Sequence, residues 1–116
     1  MTLKAYQNAQ RIVEHPRETE YRLFGQVTGA LITAQRCGAT GGPLAEAVDW
    51  NRKLWRTLAA DCLDDRNQLP QGLRANIVSL SLWVSRYSKD VTRKGAPLDP
   101  LIDINRSIMQ GLQGAA

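Results

Sequence analysis

Proline and glycine cut this chain into stretches that are each about one helix long. The breaks fall at Pro16, at Gly38 and Gly41-Gly42-Pro43, at Pro70, and at Gly95-Ala96-Pro97. A proline inside a helix removes a backbone donor and clashes with the preceding turn, and it pushes the residue before it out of the helical region. Any helix must therefore stop and restart at these points. The stretches between them carry apolar residues three and four apart, the spacing of one helical face.

The first stretch predicts a short helix from Leu3 to about Glu14, with Leu3, Tyr6, Gln10 and Val13 on one side. The second opens at Pro16, where a missing N–H costs nothing. It runs to about Cys37 through Phe24, Val27, Leu31 and Ala34, and stops at Gly38. The third starts near Pro43, after a Gly41-Gly42-Pro43 loop. Its stripe is Leu44, Ala47, Val48, Asn51, Leu54, Trp55, Leu58 and Cys62, and Asp61, Asp64 and Asp65 crowd its frayed end. The fourth follows Asn67-Gln68-Leu69-Pro70. It carries Leu73, Ile77, Leu80, Val84 and Tyr87 on one face and Val78 and Leu82 on the other, with no charge from Ala75 to Ser85. An apolar pattern on two faces predicts packing on two sides and a central place in the fold. The fifth begins near Asp99-Pro100 and turns Leu101, Ile104, Asn105, Ile108 and Leu112 inward. No stretch alternates with the period of a strand. The expectation is an all-α fold, a compact bundle of four to five helices with short loops, forming one domain over residues 1–116.

Composition narrows the function. With 43% hydrophobic and 22% charged residues the chain is an ordinary globular sequence. The run from Ala75 to Ser85 is well short of the roughly 18 residues a membrane span needs, and the N-terminus lacks the apolar core of a signal peptide. A cytoplasmic protein is expected. There is one histidine, His15, and the two cysteines, Cys37 and Cys62, lie far apart at apolar helical positions. Those three residues make no zinc spacing and no nucleophile–base pair. Gly41-Gly42 runs into Pro43, which removes a donor that a phosphate cradle would use. The acidic group Asp61, Asp64 and Asp65 reads as an exposed helix end. Neither an enzyme nor a cofactor or metal site is expected.

Interaction is the remaining theme. Three tryptophans are many for 116 residues. Trp55 falls on a core stripe, whereas Trp50 and Trp83 fall at the edges of theirs. A tryptophan at such an edge either seals the core or anchors a partner. Gly25, Gly29 and Thr33 make a small-residue face on the second stretch that another helix could approach closely. Asn51 and Asn105 interrupt apolar stripes and need hydrogen bonds, more simply met inside the bundle. The net charge is +4, and Arg86, Lys89, Arg93 and Lys94 approximate a basic edge. Nucleic-acid binding is thereby an alternative to protein binding, weakened by interspersed acids and the lack of a stacking-aromatic motif.

Several segments resemble one family. They are Thr19-Glu20-Tyr21-Arg22-Leu23-Phe24-Gly25-Gln26-Val27-Thr28, Asp49-Trp50-Asn51-Arg52-Lys53-Leu54-Trp55, Asn67-Gln68-Leu69-Pro70 and Ser79-Leu80-Ser81-Leu82-Trp83-Val84-Ser85-Arg86. With Ala5-Tyr6-Gln7 and Pro100 to Arg106, they are similar to the FlaF family of flagellar biosynthesis proteins. The resemblance implies a role in flagellin synthesis or export, with flagellin as the bound partner and FlbT as a counterpart. Direct binding of flagellin messenger RNA is the alternative it leaves. It carries over no catalytic residue. A helical bundle that holds a terminal, amphipathic segment of flagellin would do so in an apolar groove. The expected groove contacts are Tyr21, Phe24, Trp50 and Trp83.

Overall fold

The computed structural model describes residues 16–114. Among them are four helices, α1 Pro16–Arg36, α2 Gly41–Cys62, α3 Gln71–Lys94 and α4 Asp99–Gly114, and no strand. The helix expected from Leu3 to Glu14 lies outside the described residues.

The helices begin and end where the backbone chemistry requires. Gly38 sits in the left-handed region with φ 61°, which costs a glycine nothing. This lets Gly38 N–H reach the Gln35 carbonyl and Ala39 N–H reach that of Ala34, closing α1 with its carbonyls satisfied. Gly95 does the same for α3 with φ 68°. Gly41, Gly42 and Pro43 were expected as loop, but they form the first turn of α2. Proline loses nothing there, since first-turn N–H groups have no partner within the helix. After Cys62, Asp64 accepts hydrogen bonds from the backbone and side chain of Arg66, and the Arg74 guanidinium donates to the carbonyls of Cys62 and Asp64. Of the crowded acids, Asp64 is held by Arg66, and Asp61 and Asp65 are exposed at the helix end.

Consecutive helices run antiparallel, as their short links require. α1 packs on α2 and α4, α2 packs on α1 and α3, and α3 meets α4 only over a short stretch. The core lies between them. Phe24, Leu31, Trp55, Leu58, Ile77, Val84, Leu101 and Leu112 are fully or almost fully buried. Phe24 meets Trp55 edge to face, with ring centroids 5.4 Å apart.

α3 does not hold the central place its pattern predicts. Ile77, Val84 and Val91 are buried, but Val78 is only half-buried and Leu82 is 63% exposed. Ser81 and Ser88 lie on the side of α3 that faces α2, and the Ser81 hydroxyl donates to the Trp55 carbonyl at 3.4 Å. The uncharged run therefore supplies a close helix contact on one side and an exposed leucine on the other.

Candidate functional site: a groove between α1 and α2

The buried polar residues use one another. The Trp55 indole N–H donates to Asn105 Oδ1 at 2.8 Å, which fixes the orientation of the Asn105 amide. Its Nδ2 then donates to Asn51 Oδ1 at 2.7 Å and to Thr28 Oγ1 at 3.1 Å. Asn51, Trp55 and Asn105 are fully buried and Thr28 is nearly so. One hydrogen-bonded cluster thus ties α1, α2 and α4 in a fixed register. Only the Asn51 Nδ2 atom of this cluster lacks a partner. The two asparagines are structural, which leaves the surface as the place for function.

A groove of about 760 Å³ lies between the C-terminal half of α1 and the N-terminal half of α2. Ala30, Thr33 and Ala34 contribute from α1, Cys37 from just past its end, and Pro43, Ala47 and Trp50 from α2. The side chains on its floor are small, so a foreign helix could come close to both backbones. Trp50, 43% exposed, stands as its aromatic wall. Lys53 and Asp49 form the polar rim on α2, where Asp49 pairs with Lys53 and Arg52 at 3.0 Å. These two cations hold the Asp49 carboxyl below the usual carboxylate range.

The four expected contacts do not converge on this groove. Trp50 lines it. Phe24 is completely buried against Trp55 and belongs to the core. Tyr21 is exposed, one turn before Gly25 and two before Thr28. A side chain at Gly25 would meet Met109 of α4, and Thr28 bonds Asn105 of α4, so this is the flank of α1 that faces α4. Trp83 is on α3, half-buried and stacked on Tyr87 at a centroid distance of 5.0 Å. The Tyr87 hydroxyl in turn donates to the Pro97 carbonyl at 2.5 Å.

The small-residue face read from the sequence divides in the same way. Gly25 serves the contact with α4, Gly29 faces open space, and Thr33 lines the groove. Reading for aromatic residues missed Ala30, Ala34 and Ala47, because small side chains on a helix edge look like ordinary packing. The two cysteines also part. Cys62 is buried, and burial, the largest cause, pushes its thiol up to about 11. Cys37, read as an apolar core position, is exposed on the groove lining just past the end of α1. Among the described residues no group of histidine, cysteine and acidic side chains could hold a metal, and no helix is long and apolar enough to cross a membrane.

Residues 2–112 match the family described as flagellar protein FlaF. The chain belongs to that family. The match takes in α1, α2, α3 and all but the last two residues of α4, so the groove, the buried asparagine cluster and the α3 surface all lie within the FlaF region. No curated protein and no solved structure matches the chain.

Proposed function

We propose that this FlaF-family protein binds flagellin in the cytoplasm and promotes its synthesis and secretion, seating a terminal helical segment of flagellin in the groove between α1 and α2. The observation that supports this most is the groove itself, floored by small side chains and walled by the exposed Trp50. An amphipathic helix fits such a surface by burying its i, i+3, i+4 and i+7 face. Each leucine-sized anchor contributes about 1.5–3 kcal/mol before the cost of ordering the segment. A few such anchors leave an affinity on the order of micromolar after that cost, which is tight enough to shield the segment and weak enough to release it.

Calorimetric titration with purified flagellin and with peptides of its two termini tests the proposal. The expected result is binding by one terminal peptide, weakened about tenfold in a folded Trp50→Ala variant, as for a central aromatic anchor. Absence of binding to flagellin and to both peptides would overturn it. So would undiminished binding by Trp50→Ala.

A further inference from the structure

The outer face of α3 carries a second feature that the groove does not use. Leu82 is 63% exposed, and Arg86, Lys89 and Arg93 follow it at spacings of four, three and four on the same exposed row. The one ion pair on this helix is Lys94 with Asp90 at 3.7 Å. Nearby on α2, Asp49 is engaged by Arg52 and Lys53. Among the described residues, Arg86, Lys89 and Arg93 therefore pair with no carboxylate. Lys89 also borders an opening of about 410 Å³ between α2 and α3, whose α2 side carries the Glu46 and Asp49 carboxylates, so the cationic row itself and not this opening is the acid-binding feature. From Leu82 to Arg93 the row rises about 16 Å, or three helical turns.

We infer that this row is a second docking surface, for an acidic amphipathic helix of a protein partner. Charge complementarity selects the occupant. Three cations one turn apart match carboxylates at i, i+3 or i+4, and i+7 of a helix laid alongside. Leu82 supplies an apolar contact at the end of the row. A nucleic-acid strand fits less well. Single strands are gripped by rings that stack on bases, whereas the α3 rings, Trp83 and Tyr87, are half-buried and stacked on each other. Leu82, Arg86, Lys89 and Arg93 do not line the α1–α2 groove, so a partner confined to the row leaves that groove open. The protein then bridges a client held in one and an acidic partner held on the other.

The test uses a fluorescein-labelled synthetic helix with leucines along one edge and glutamates at i, i+4 and i+7. A labelled single-stranded RNA serves as the competing probe. Fluorescence anisotropy with the full chain reads both, with and without added salt. The wild-type protein is expected to bind the acidic helix and to lose affinity as salt rises. Reversing the row in the triple variant Arg86→Glu/Lys89→Glu/Arg93→Glu should weaken binding by about tenfold or more. These side chains are exposed, so circular dichroism should show the fold unchanged. Leu82→Ser should weaken it about threefold, and Trp50→Ala should leave it unchanged. Failure of the wild type to bind the acidic helix overturns the inference, as does equal binding by the triple variant. RNA binding that is tighter than helix binding and is lost in the triple variant also overturns it, and assigns the row to nucleic acid.

Discussion

Asn105 shows what a single side chain does for this bundle. Its carboxamide accepts from Trp55 and donates to Asn51 and Thr28, all out of contact with solvent. Asn105→Leu removes three hydrogen bonds and leaves a buried indole N–H and a buried amide carbonyl without partners. Each orphaned group costs about 1–3 kcal/mol, so the variant is expected to lose about 3 kcal/mol of stability in urea unfolding. A loss below about 1 kcal/mol would show that the cluster is not what sets the register. The interior placement of both asparagines was legible in the sequence, because polar residues in the middle of apolar stripes must be hydrogen-bonded. Their direct contact was not, since it joins α2 to α4 across 54 positions of chain. The cysteines give a second test at this scale. Cys37 should react with a thiol reagent in the native protein, while Cys62 should react only on unfolding. The Cys62 thiol ionises near 11 in the folded protein, above the ordinary value near 9. The stability it contributes is therefore whole below about pH 9 and is lost as pH rises through about 11. Subtracting the unfolding profile of Cys62→Ala should isolate that decline.

At the scale of elements, the punctuation of the sequence located every described helix to within a few residues. Gly38 and Gly95 closed helices as expected, and only the Gly41-Gly42-Pro43 segment changed class, from loop to first turn. The misplaced element is α3, for which an uncharged run suggested burial on two sides. Serine spaced along a helix is uncharged for a different reason, since it lets α2 approach, and periodicity cannot tell that contact from an apolar one. Two substitutions separate the readings. Leu82→Ala should change stability by less than about 0.5 kcal/mol, whereas Ile77→Ala, at a fully buried position, should cost about 3 kcal/mol. Gly95→Ala forces a Cβ into the left-handed region and should cost about 1 kcal/mol, with α3 fraying at its C-terminus in amide exchange.

The described residues form a four-helix frame locked from within by one polar cluster and carrying its openings on the outside. The fold class and the family followed from the sequence, while the four expected contact residues lie apart in the structure. Of the expected contacts, Trp50 alone lines the α1–α2 groove, because whether a tryptophan at a stripe edge faces a neighbour or solvent depends on which helices are adjacent. That adjacency is set by the long-range packing of Phe24, Trp55 and Leu101, which no local pattern encodes. The three tryptophans now occupy three distinct places: Trp50 on the groove, Trp55 in the core and Trp83 on α3. Their indole N–H resonances make a direct test of flagellin capture. When a terminal flagellin peptide is titrated into the protein, the Trp50 signal is expected to move progressively to saturation while that of Trp55 stays in place. A peptide that binds and leaves Trp50 unmoved would contradict the groove as the site.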